Sequence, residues 1–233
     1  MIRILGVIIL AVLVPSLPWA QGLESLSVHF LREHTESGGK EVTSGLVYYH
    51  QPSTVILRVT YPLEQWMVFE DTVTTIYYPA SRQAFRIISR FGSYPPFVQA
   101  FIGVAERDYG LSVLGYRVRD YNVRADTLIS HWAPPKGLSL FLGETILKIK
   151  DDKIVYTESR TVRGETLRKS VHKKHVRYQG TYFPMEILTT EYSRTDSTFE
   201  KVIFSEPKFN SPLPEEVLTF HIPTDVEVKE VRW

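Results

Sequence analysis

Thr54-Val55-Ile56-Leu57-Arg58-Val59-Thr60 decides the fold class. Val55, Leu57 and Val59 fall on one side of a period-two pattern, and Thr54, Arg58 and Thr60 fall on the other. Only Ile56 breaks the polar side. The stretch therefore predicts a β-strand with one apolar and one wet face. The same alternation extends outward through Leu46–His50, Trp66–Glu70, Thr74–Tyr78, Gln83–Ile88 and Tyr116–Val123. It continues through Thr127–Trp132, Thr145–Lys150, Ile154–Arg160 and Arg168–Tyr178. Met185–Tyr192, Thr198–Phe204 and Leu218–Ile222 complete the set. Asp151-Asp152, Arg163-Gly164-Glu165 and Gln179-Gly180-Thr181 have hairpin-turn chemistry.

Helical spacing is scarce. Leu26, Phe30 and Leu31 predict a short helix within Leu23–Glu36, ended by Gly38-Gly39. Phe97, Phe101, Val104 and Ala105 form the apolar stripe of a stronger candidate over Phe97–Tyr109, after Pro95-Pro96 and before Gly110. About a dozen short strands are too many for one flat sheet, which usually curls, splits or closes. No linker, composition shift or repeat divides the chain. The expectation is a single mainly β domain, a strongly curved, barrel-like antiparallel sheet with a helical segment on one face.

The N-terminus reads as an address. Arg3 is its only charge, Ile4–Val14 is apolar apart from Gly6, and Ala20 offers a cleavage point. That is a secretory signal peptide over residues 1–20, with an apolar run too short to span a bilayer. The mature domain is then residues 21–233. Among 233 residues there is no cysteine, which excludes disulfides, thiolate metal sites and cysteine nucleophiles. With 27 Lys plus Arg against 26 Asp plus Glu, the chain lacks the bulk field of a nucleic-acid binder. An exported chain without cysteine points to a bacterial periplasm.

Catalytic patterns are missing. There is no Gly-x-Ser-x-Gly elbow, phosphate-binding glycine loop, His-Glu-x-x-His or EF-hand loop. His172 and His175 flank two lysines, and on a strand they point to opposite faces. Glu70-Asp71 and Asp151-Asp152 read as turn residues. No metal, cofactor or enzymatic activity is expected. The basic run Arg163, Arg168, Lys169, Lys173, Lys174 and Arg177 is either a solvated hairpin or a dock for an anionic partner. Aromatic residues are the larger signal. Tyr48, Tyr49, Trp66, Phe69, Tyr77, Tyr78 and Phe85 lie on consecutive predicted strands, as a β core or as the lining of a cavity.

An ordered set of short motifs carries a family resemblance. Phe30 is followed by Gly45-Leu46-Val47-Tyr48-Tyr49, Gln51-Pro52 and Leu57-Arg58-Val59-Thr60-Tyr61-Pro62. Glu70-Asp71 and Tyr77-Tyr78-Pro79 come next. Gly180-Thr181-Tyr182-Phe183-Pro184, Pro212-Leu213-Pro214, Leu218-Thr219-Phe220-His221-Ile222-Pro223 and a Val226-Glu227-Val228 tail close the series. The arrangement resembles the LolA-like periplasmic lipoprotein carriers. The resemblance implies a half-open antiparallel barrel with a short helical lid. It also implies non-enzymatic carriage of lipoprotein acyl chains toward the outer membrane, as a monomer, between an inner-membrane exporter and an outer-membrane acceptor. The implied lipid-binding wall is Val47 and Tyr49, then Val55, Leu57 and Val59, then Met67, Phe69 and Ile76, with Phe101 from the helix. The implied gating position is Gln51, where the carriers have an arginine, so a charge-based latch is absent. The same fold also serves lipid-binding and lipoprotein-sensing modules, the alternative function.

Overall fold

A computed structural model describes residues 23–51, 54–70, 72–89, 95, 97–99, 101, 103 and 108–232. The signal segment 1–20, Pro52 and Asp71 lie outside the described residues. The strands are β1 (Ser25–Glu36), β2 (Gly39–His50), β3 (Thr54–Tyr61), β4 (Gln65–Glu70), β5 (Val73–Tyr78), β6 (Gln83–Ile88) and β7 (Arg117–Arg124). The second half supplies β8 (Thr127–Ala133), β9 (Thr145–Lys150), β10 (Lys153–Arg160), β11 (Thr166–Tyr178), β12 (Thr181–Tyr192), β13 (Ser197–Phe209) and β14 (Val228–Arg232).

All fourteen lie in one sheet, ordered β14-β6-β5-β4-β3-β2-β1-β13-β12-β11-β10-β9-β8-β7. Neighbours pair antiparallel except β14, which joins β6 in parallel. The edges, β7 and β14, do not pair with each other. The expected half-open barrel is therefore corrected: the sheet is open, neither closed nor strongly curved. Its topology supplies the reason. A long sheet closes to bury apolar faces that nothing else covers. Here the chain passes from β6, near one edge, to β7 at the other, and residues 89–116 make that passage. It later returns from central β13 to edge β14 through residues 210–227. Each passage carries apolar side chains onto the sheet.

Period-two alternation sorts the side chains between the two faces. Face A holds Leu26, Val28 and Phe30 of β1, Val47 and Tyr49 of β2, and Val202 and Phe204 of β13. Face B holds Tyr48 of β2, Ile56 of β3, Trp66 of β4, Tyr77 of β5 and Ala84 of β6. The hairpin turns fall where expected. Asp151 and Asp152 have φ of 49° and 60°, and Gln179 and Gly180 have 45° and 84°. Such paired left-handed residues match the twist of the flanking strands.

Two elements are corrected. Leu23–Glu36 is not a helix but contains β1, paired with β2 on one side and β13 on the other. Leu26, Val28 and Phe30 are buried at period two, while Leu31, the third member of the helical reading, is 38% exposed. Two flanking ladders outweigh a weak local preference. Leu218–Ile222 is not a strand either. A one-turn helix, Glu215–Leu218, follows Pro214, and Phe220 continues in irregular chain.

Candidate functional site

The expected lipid wall is assembled on face A. Val47, Val55, Leu57 and Val59 are 0–2% exposed, Tyr49 is 1% and Phe69 is 2%. Register aligns them, with Val47 opposite Leu57, Leu57 opposite Met67 and Val55 opposite Phe69. Met67 is partly buried against this core, and half-buried Ile76 sits opposite Met67. Gly45 makes the close approach of β2 and β3 possible. A Cβ there would lie 2.0 Å from the Arg58 carbonyl oxygen.

Phe101 is in the same apolar cluster as that wall but lies over β12 and β13, not on β2–β5. Residues 97–99, 101 and 103 are helical, within the expected Phe97–Tyr109; Val104 and Ala105 of its stripe lie outside the described residues, and Tyr109 stands in a turn with φ of 63°. The passage then advances strand by strand along face A. Phe97 stacks on Phe30 of β1, with ring centroids 5.9 Å apart. Phe101 meets Phe183 of β12 at 5.1 Å and Phe204 of β13 at 5.5 Å. Tyr109 meets His172 of β11 at 5.3 Å, and Tyr116 hydrogen-bonds Thr145 of β9. Phe101 and Val98 are fully buried. The described residues of this one connection thus pack on β1, β9 and β11–β13 of face A.

The buried polar groups of face A gather on β8–β13. Ser170 and Thr189 share a hydroxyl–hydroxyl bond of 2.9 Å, and the Trp132 indole donates to Ser130 Oγ at 2.8 Å. His172 is 4% exposed and its Nε2 has no partner. Burial, with a smaller repulsion from His175, pushes the His172 pKa down to about 3, so its ring is neutral. Burial likewise pushes the Tyr109 and Tyr116 phenols up. Face A is apolar over β1–β3, and towards β10–β13 it also holds buried Thr157, Ser170 and Thr189 and the Glu200 carboxylate, paired with Arg32 at 2.5 Å.

Face B departs from the wet surface expected of it. Trp66 stacks on Phe220 at 4.8 Å, and Val217 and Val226 are buried against the same face. Arg58, the polar-side residue of the opening stretch, lies 5.1 Å above the Trp66 ring and donates to Glu216 at 2.8 Å. It fastens the C-terminal passage to β3. A cleft of about 240 Å³ lies between that passage and the sheet, lined by Tyr48, Ile56, Val68, Glu70, Leu213 and Phe220 among others. The sequence signal for this second layer was Tyr48, Ile56, Trp66, Val68 and Tyr77, all on the side opposite Val55 and Leu57.

The remaining candidates disperse. Gln51 is an exposed turn residue whose backbone N–H donates to the Glu24 carbonyl at 3.0 Å. Four members of the basic run are engaged: Arg168 with Glu191, Lys174 with Glu186, and Lys169 and Arg177 over Tyr192 and Tyr182. His175 bonds the Ile154 carbonyl at 2.8 Å. Among the described residues, no group of three or more His, Asp or Glu could hold a metal ion. No described helix is long and apolar enough to cross a membrane.

Solved structures share this architecture. An outer-membrane lipoprotein-sorting domain of Vibrio parahaemolyticus superposes with a TM-score of 0.65 at 14% identity, over 85% of this chain and 91% of its own. A LolA superfamily protein of Nitrosomonas europaea gives 0.60 at 14%, over 85% and 91%. A DUF1329 family protein of Desulfovibrio piger gives 0.63 at 12%, over 84% and 90%. The chain has a LolA-like fold. At these identities the likeness is one of fold. No family model matches the chain, and neither does any curated protein.

Proposed function

We propose that this protein is an exported periplasmic carrier that holds acyl chains of lipoproteins on face A, beneath residues 89–116, and moves them toward the outer membrane. The observation that supports it is the shared cluster: wall side chains of β2–β4 that are 0–2% exposed belong to one apolar core with Phe97, Val98 and Phe101, which come from a connection between distant strands and not from the sheet itself. Such a connection can lift without breaking a strand ladder. Lifting the roof re-exposes at least Phe97, Val98, Phe101 and Leu111, at about 1.5–3 kcal/mol each. An entering acyl chain gains about 0.8 kcal/mol per buried CH₂, so roughly eight to fifteen methylenes offset the opening and a longer chain makes it favourable. Val47, Tyr49, Val55, Leu57, Val59, Met67, Phe69 and Ile76 form the wall in this reading, and Phe101 is the plug that the chain displaces. Gln51 offers no charge to latch the roof, and among the described residues apolar packing with the Tyr109–Thr157 and Tyr116–Thr145 hydrogen bonds holds it to the sheet. No chemical step is involved.

Mass spectrometry of organic extracts from protein purified out of the periplasm tests the proposal. Stoichiometric acylated lipid or lipopeptide is the expected result. Lipid-free protein that also fails to bind a fluorescent fatty acid contradicts it. A sensing module of the same fold would bind the same chains. It is distinguished by failing to pass a lipoprotein to outer-membrane vesicles.

A further inference from the structure

The two edges of the sheet differ. β14 has five residues, three of them charged: Lys229, Glu230 and Arg232. β7 is charged too, at Arg117, Arg119, Asp120 and Arg124, so the edges differ in length and apolar exposure and not in charge. β7 has eight residues and is exposed along nearly its whole length. Val118 is 50% exposed, and Tyr121 and Val123 are each 68% exposed. These three share a face. Val118 pairs with Trp132, Tyr121 with Ser130 and Val123 with Leu128, all face A positions of β8. An irregularity between Val118 and Asp120 brings Val118 and Tyr121 to the same side, although they are three apart. The roof over face A ends at Tyr116, one residue before β7 begins. The result is a bare apolar stripe beside a backbone edge that no strand pairs, with the Tyr121 N–H donating to the Asp120 carboxylate at 2.8 Å.

Charge selects what fits there. Arg119 is held by Glu144. Arg117 and Arg124, at the two ends of β7, have no ion-pair partner among the described residues. A second copy of this chain, paired antiparallel along the full strand, would set Arg117 against Arg124 at both ends. Like charges directly opposite destabilise a ladder. We propose that β7 is a docking edge for an extended segment of a partner protein, which adds as a fifteenth, antiparallel strand. That segment has apolar residues at alternate positions against Val118, Tyr121 and Val123, and an Asp or Glu at each end to meet Arg117 and Arg124. This assignment is independent of the acyl-chain reading, because the site lies beyond the roof.

A fluorescein-labelled octapeptide of alternating Val and Thr with Glu at both ends, and a twin with Lys at both ends, test it by anisotropy. The Glu-ended peptide should bind at least tenfold more tightly and slow amide exchange in residues 117–124. Tyr121→Lys should abolish binding while leaving the circular dichroism spectrum unchanged, since that side chain is mostly in solvent. Equal binding of the two peptides, no binding of either, or protection elsewhere would overturn the proposal. So would sedimentation showing a dimer of the protein that Tyr121→Lys dissolves, because the occupant would then be a second copy.

Discussion

Phe101→Ala separates a removable roof from an integral core. Phe101 is fully buried and touches Phe183 and Phe204 with ring centroids 5.1 and 5.5 Å away. Truncating such a phenylalanine costs about 3–5 kcal/mol. If residues 89–116 lift as a unit, the cost falls on the closed state alone, because Phe101 has already left the face in the open state. At about 1.4 kcal/mol per tenfold, the open fraction rises roughly 100- to 1,000-fold or more. Apparent acyl-chain affinity rises by as much as that factor while the open state is the minor one. Titration with a fluorescent fatty acid should show tighter binding, and thermal unfolding of the strands by circular dichroism should shift far less than 3–5 kcal/mol requires. The opposite pair of results, a large drop in melting temperature with unchanged or weaker binding, would refute the idea that the roof is separable.

Three further outcomes follow from the geometry. His172 is neutral when folded, with its pKa pushed from 6.5 to about 3. The unfolded chain therefore binds the extra proton between those values, and stability falls as pH drops through that window by up to roughly 1.4 kcal/mol per unit. Urea denaturation at several pH values should show this slope, and His172→Phe should flatten it. Arg58→Glu removes the Glu216 bond and the contact with Trp66, and it sets a carboxylate beside Glu64 and Glu216. A loss of about 1–2 kcal/mol is expected, read as faster amide exchange in residues 213–226 with acyl-chain binding preserved. Gly45→Ala forces a methyl to within 2.0 Å of the Arg58 carbonyl oxygen, so β2 and β3 must part. A lowered melting temperature with lost fatty-acid binding is expected, whereas a wild-type melt would show that the close approach does not matter.

Much of the sheet was legible because each strand states its own period. Val55, Leu57 and Val59 identified face A from seven residues, and the turns at Asp151-Asp152 and Gln179-Gly180 stated their own geometry. What one strand cannot state is how the sheet ends. Closure depends on whether distant segments cover each face, and the passages 89–116 and 210–227 do so through contacts remote in sequence. Hence the barrel was expected and an open sheet is found. The same limit hid the second layer. Ile56 read as an exception on a wet face, but with Tyr48, Trp66 and Tyr77 it forms a floor for Val217 and Phe220. β1 was misread because Leu26 and Phe30 fit periods of both two and four, and only pairing with β2 and β13 decides between them. β14 is short and charged, and it is a strand because β6 offers an edge.

Photo-crosslinking with a diazirine-bearing fatty acid, mapped by peptide mass spectrometry, tests the central claim most directly. Face A and face B offer distinguishable targets on the same strands. The account predicts adducts on Val47, Leu57, Met67 and the segment 97–103, reduced by competing palmitate. Adducts confined to Ile56, Val68 and Phe220 in the face B cleft, or none that palmitate competes away, would contradict it.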